Sequence, residues 1–180
     1  MKIILTTSLM FCVYVIVIFS GCQRYSMIVF ENPEFPDTML PTKMDADLLK
    51  KYTVGGVIIH PRIHYADSTQ TTYKLLAIFF SKTNTPVVLI KTLTISINGT
   101  KLEYGKQIIG ELTSDWDMYS ENKPFYVSSI SGEPIDRQKE EIVKARVVVS
   151  LIVSVEEDNG KITEKKINVY FLPKKRSYLE

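Results

Sequence analysis

Between residues 143 and 155 the sequence alternates with a period of two, and a chain with this pattern has to build a sheet. Val143, Ala145, Val147, Val149, Leu151, Val153 and Val155 fall on one face of an extended strand. Lys144, Arg146, Ser150 and Ser154 share the other face with Val148 and Ile152. Successive side chains on a strand point to opposite sides, so one side of this segment is buried and the other is partly covered.

The segment after it, "EEDNGKIT", leads into a second strand at about 162–172, with Ile167, Val169 and Phe171 on a common face. An Asn-Gly pair usually signals a two-residue hairpin turn. Here that register would set Leu151 against Asn168 and Val153 against Lys166, which is wrong for a core. A three-residue loop at 158–160, with Gly160 in the left-handed region, pairs Leu151 with Ile167 and Val149 with Val169 instead. A second Asn-Gly, in "TISINGTKLEY", has the opposite outcome. A tight turn at Asn98-Gly99 sets Ile95 opposite Leu102 and Leu93 opposite Tyr104, both acceptable pairs.

Further strands are expected at Met27–Phe30, Val57–Tyr65, Tyr73–Ser81 and Phe125–Ile130, with Gly55-Gly56 as a turn before the second of these. In "TYKLLAIFF" both faces are largely apolar, which places that strand centrally. Helical signals are short. "PTKMDADLLKKY" offers Thr42 as a cap with Asp45 three residues on, and "PIDRQKEEIVK" has Pro134 at a first turn. "ENPEFPDTMLP", with Pro33, Pro36 and Pro41, reads as a loop or semi-rigid spacer. The expected fold class is all-β: a two-sheet antiparallel sandwich, immunoglobulin-like, with one or two short helical turns. The cysteine and tryptophan hallmarks of antibody domains are missing, so the likeness is one of fold class only.

Ahead of these strands lies a run of another kind. Residues 3–19, "IILTTSLMFCVYVIVIF", are apolar except for Thr6, Thr7 and Ser8, with Lys2 before them and Ser20-Gly21 after. A basic start, an apolar run and a small pair are the parts of an export signal. Cys22 follows directly, and "FSGC" resembles the lipobox of bacterial lipoproteins, with Phe19 where such signals usually have Leu. The resemblance covers the first 22 residues. It implies lipid on the Cys22 thiol and cleavage between Gly21 and Cys22. Two acyl chains make a lasting anchor where one does not. Cys12 would leave with the signal, so no disulfide supports the fold. The expected organisation is a signal peptide at 1–21, a lipid anchor and Pro-containing spacer at 22–43, and a β-sandwich at 44–180 ending in a basic tail. Gln23 is not the aspartate that favours inner-membrane retention in that class. The resemblance therefore implies the periplasmic face of an outer membrane where the host has one, and the bacterial cell envelope in any case.

Catalytic signatures are missing from the sequence: no phosphate loop, no paired cysteines for zinc, no nucleophile elbow. With a net charge of +2 and mixed signs throughout, there is no basic stripe for nucleic acid. His60 and His64, in "HPRIHY", lie four apart; on a strand that is about 13 Å, too far for one metal. They are expected to be polar surface or edge-strand side chains, and no metal or cofactor is expected. In "TSDWDMYSE" the single tryptophan, Trp116, sits between Asp115 and Asp117, with Tyr119 next. Trp116 either plugs the end of the sandwich or, with Tyr119, Asp115 and Asp117, faces a partner. "PKKRSYLE" places Lys174, Lys175 and Arg176 in a solvated tail, or against anionic lipid head groups.

Three functions compete. The first is a membrane-anchored, non-enzymatic module that binds another envelope protein. The second is a small-ligand or glycan binder with Trp116, Tyr119 and Tyr126 lining the site. The third is a hydrolase built on His60 or His64 with Asp67 and a serine. The first accounts for the anchor and for the lack of catalytic motifs.

Overall fold

The structure is a computed structural model that describes residues 24–37, 39, 41–66, 72–102, 109–110, 112–113, 115–119, 125–135 and 144–179. Cys22, Gly21, the export signal and Asp67 lie outside the described residues.

The chain is all-β and antiparallel. One layer contains β1 (Arg24–Glu31), β2 (Thr53–Val54), β3 (Val57–Tyr65), β4 (Tyr73–Ser81), β8 (Asp117–Met118) and β9 (Tyr126–Pro134). The other contains β5 (Val87–Ile97), β6 (Thr100–Leu102), β7 (Leu112–Thr113), β10 (Val147–Glu156) and β11 (Ile162–Leu179). The strand order runs β6-β5-β10-β11-β1-β3-β4-β9-β8, with β2 beside β3 and β7 beside β5. The chain divides into two compact units. Val29–Lys174 holds both layers and their core; the other consists of Met1–Ile28 with Lys175–Glu180.

The alternating segment is β10, the centre of its layer. Its register is the one that the bulged loop demands: Leu151 stands opposite Ile167 and Val149 opposite Val169. Gly160 has φ 75°, and its N–H donates to the Glu157 carbonyl at 2.8 Å. On the other side β5 sets Leu93 against Leu151 and Ile95 against Val149. Val147, Val149, Leu151, Val153 and Val155 are wholly buried. Asn98 and Gly99 both have positive φ, and Ile95 pairs with Leu102 across their tight turn. The companion pair of Leu93 with Tyr104 lies outside the described residues, as does Val143.

The facing layer completes the core. Val57, Ile59 and Ile63 of β3 and Leu75, Ala77 and Phe79 of β4 are all buried. The register pairs Ile59 with Phe79 and Ile63 with Leu75, and it continues without a bulge through Pro61 and Ala77. β4 lies between β3 and β9, central in its layer as its two apolar faces suggested. Gly55-Gly56 makes the β2–β3 turn, and a Cβ on Gly55 would come within 2.9 Å of Val155 in the facing layer.

Four readings of the sequence are corrected. First, the described part of the expected spacer is structured: β1 starts at Arg24, and Asn32 and Phe35 are buried. Second, the helix α1 (Ala46–Tyr52) is capped by Asp45, not Thr42. The Asp45 side chain accepts from the Leu48 N–H at 2.8 Å, and Pro41–Lys43 is a separate 3₁₀ turn. Third, Pro134 is the last residue of strand β9 and not a helical first turn, and Ile135 N–H donates to the Tyr73 carbonyl at 2.7 Å; residues 136–143 of the expected helix lie outside the described residues. Fourth, Lys174, Lys175 and Arg176 are not a tail, since β11 runs on to Leu179; Lys174 pairs with Glu31 at 2.8 Å.

Candidate functional site

The residues singled out around Trp116 lie on β8 and its approach, but they do not all face the same way. β8 is the last strand in the sheet order and, among the described residues, pairs with β9 alone, Asp117 with Val127 and Met118 with Tyr126. Trp116 turns inward. It is half-buried, packs on the core, and donates its indole N–H to the Pro86 carbonyl at 2.9 Å. An indole has a single donor, so this bond satisfies the polar edge while the ring closes the end of the sandwich.

Its neighbours face solvent. Met118 is 57% exposed and Tyr119 53%, and Asp115 and Asp117 are exposed beside them. Tyr119 is held from both ends: its N–H donates to the Phe125 carbonyl at 2.8 Å, and its ring meets Phe80 edge-on at 6.1 Å. Met118 and Tyr119 thus form an exposed pair at the end of the edge strand β8, beside two exposed carboxylates. Tyr126 is half-buried opposite Met118.

At the same end a cavity of about 320 Å³ opens between three turns, lined by Gly55, Ser81, Lys82, Pro86, Glu157 and Asp158 among others. The Ser81 hydroxyl accepts from the Thr83 N–H, and Glu157 accepts from the Thr163 hydroxyl and faces Lys161. Nothing in the sequence marked this hollow, because each of its walls is an ordinary turn when read alone.

The histidines are placed quite differently from the surface positions expected of them. His60 is fully buried on β3, its ring stacked on Phe35 at 3.6 Å and 5°. Its Nε2 lies 3.1 Å from the Phe35 carbonyl oxygen and its Nδ1 3.4 Å from the Arg62 guanidinium. Burial pushes its pKa down to about 3, Arg62 adds to this, and the Phe35 contact opposes it. His60 is therefore neutral, and its Nε2–H donates to Phe35. Arg62 donates to the Asp37 carbonyl at 2.9 Å and lies 3.4 Å from the Asp37 carboxylate. Burial raises the Asp37 pKa against the pull of Arg62.

This polar cluster pins the 32–37 segment across β3, and α1 closes its far side. Asn32 donates to the Tyr52 hydroxyl at 2.9 Å, Tyr52 donates to Glu34 at 3.1 Å, and Lys51 pairs with Glu34. The hydrogen bond from Lys51 holds the Glu34 carboxyl below its ordinary pKa, while burial raises that of Tyr52. His64 sits further along the strand, half-buried and opposite Lys74, with its pKa lowered by burial first and then by Lys74 and Arg62. His60 and His64 thus share a strand face without sharing a site. Among the described residues no three His, Cys, Asp or Glu side chains converge as metal ligands would. His60 is an interior side chain, stacked on Phe35 and hydrogen-bonded to its carbonyl.

No family model, curated protein or solved structure matches this chain.

Proposed function

We propose that this chain is a lipid-anchored envelope protein, tethered at Cys22, whose β-sandwich binds another envelope protein without catalysing a reaction. The order of apolar run, small pair and cysteine at residues 3–22 is the observation that carries the anchor. No helix among the described residues is long and apolar enough to cross a membrane. The first described strand, β1, begins at Arg24, two residues after Cys22. The edge strand β8 supports the binding role, with Met118 and Tyr119 exposed between acidic neighbours. His60, one of the two histidines a hydrolase could be built on, is buried and stacked on Phe35. The immunoglobulin-like likeness and the outer-membrane address of Gln23 belong to this same reading.

The test is metabolic labelling with a clickable palmitate analogue in cells that carry wild type or Cys22→Ala, followed by membrane fractionation. Label and membrane retention should both vanish in the variant. Retention of an unlabelled protein would sink the anchor. A photo-crosslinking residue at position 119 should then capture one discrete envelope partner, and the same residue at position 43 should not. Equal capture from both positions would remove the partner role from β8.

A further inference from the structure

We infer that the solvent-facing side of the β5–β6–β10–β11 layer binds an anionic polysaccharide. This goes beyond the protein-binding reading and uses the opposite layer from β8. The strand registers set outward side chains in rows. Lys101 stands opposite Ser96, Ser96 opposite Val148, and Val148 opposite Tyr170. The next row is Thr94, Ser150 and Asn168, and the one after it Thr92, Ile152 and Lys166. Strands lie about 4.8 Å apart, so the first row spans about 14 Å, and Lys166 lies about 13 Å along β11 from Tyr170.

This face carries cations at one end, and its described carboxylates, Glu156 and Glu164, lie toward the other. Lys101, Arg146 and Lys166 are exposed, and among the described residues none of them pairs with a carboxylate. The Arg146 guanidinium lies over the Tyr170 ring at 4.9 Å, which fixes the position of one cation. The nearest carboxylate on the face, Glu164, is neutralised by Lys91, which a bulge between Ile152 and Val153 pushes out of β5. Three separated cations around a field of Thr92, Thr94, Ser96, Ser150 and Asn168 match a ligand that carries spaced negative charges and many hydroxyls. The Ser150 hydroxyl donates to Asn168 Oδ1 at 2.7 Å, which leaves the Asn168 amide N–H groups to donate outward. A bilayer would favour exposed apolar side chains within the patch. Ile162 lies beyond the Lys91–Glu164 pair and Leu172 beyond Tyr170, so neither interrupts it.

The test is binding of the full chain to polygalacturonate at low salt, with neutral dextran and phosphatidylglycerol vesicles as the other arms. Lys101→Gln/Arg146→Gln/Lys166→Gln should bind polygalacturonate roughly tenfold more weakly. Lys43→Gln/Lys50→Gln/Lys161→Gln, with the same change in net charge, should stay within about twofold of wild type. Thr92→Val/Asn168→Ala keeps every charge and should lose roughly fivefold on the polysaccharide and nothing on vesicles. Thermal unfolding of each variant checks that the sandwich is intact. Failure of the folded wild type to bind polygalacturonate overturns the proposal. So does an equal loss in both Lys/Arg variants, or vesicle binding as tight as polysaccharide binding with no effect of Thr92→Val/Asn168→Ala.

Discussion

The β10–β11 hairpin and the stretch from Asn32 to Tyr52 are packed into one core, but they are held there in different ways. In the hairpin Val147, Val149 and Leu151 meet Phe171, Val169 and Ile167 across a regular ladder, and a slip of one residue would turn Leu151, Val149 and Val153 to solvent together. The Asn32–Tyr52 stretch has no ladder. Its burial rests on single contacts: Phe35 on His60 and on Tyr52, Asn32 on Tyr52, Asp37 on Arg62. A repeated pattern spreads its stabilisation over many equivalent residues. A strap of single contacts concentrates it in a few, so each of those matters as much as a core position.

That contrast can be broken first at Phe35. Phe35→Ala should cost about 4 kcal/mol, as an aromatic lost from a sealed site does. Equilibrium urea unfolding measures it, and a cost below about 1 kcal/mol would show that the strap is an ornament on the sandwich. Leu151→Ala, at the centre of the ladder, should cost about 3 kcal/mol in the same assay. The strap position is thus expected to equal or exceed the core position, although it lies in a segment of loop composition.

Acid sharpens the comparison next. The folded pKa of His60 lies at about 3, below its ordinary 6.5. Below pH 6.5 the unfolded chain therefore binds a proton that the folded chain refuses. The stability His60 contributes is present above its unfolded pKa and falls as the pH drops toward 3, with a slope of up to about 1.4 kcal/mol per pH unit. Glu34, lowered by Lys51, adds to the loss at lower pH, and Asp37, raised by burial, opposes it. His64 keeps its share of the slope in any His60 variant. The slope between pH 6.5 and 5, measured by unfolding at each pH, should thus shrink in His60→Gln while Leu151→Ala keeps the slope of wild type. Equal slopes in wild type and His60→Gln would mean that the ring is solvated. The smallest effect belongs to the helix that closes the strap: Asp45→Ala should lower stability by about 1 kcal/mol through the lost cap, read as a lower melting temperature.

Much of the site was legible for the same reason as the hairpins, and part of it was not. The pairing of Trp116 with exposed neighbours could be read from "DWDMY", because a short aromatic segment without periodicity belongs at an edge or a turn. Which way the indole pointed could not be read, because its acceptor, the Pro86 carbonyl, comes from 30 residues away. His60 failed more completely. In "HPRIHY" it looks like a surface residue, since a histidine is costly to bury alone, and only the Phe35 carbonyl and ring remove that cost. The cavity beside Lys82 and Glu157 had no signal at all, because it is the gap between turns that are each complete in themselves.

The sequence alone therefore determined the all-β class, the turn chosen at each Asn-Gly and the registers of the two hairpins. These follow from side-chain alternation and from glycine at positive φ, both of them properties of neighbouring residues. Only the tertiary structure decided that the 32–37 segment is core, that His60 is a neutral strut, and that the basic C-terminal residues continue β11. Each of those depends on a partner far along the chain. A polar group's burial is set by whether a distant donor or acceptor arrives to meet it, and local pattern carries no record of that meeting.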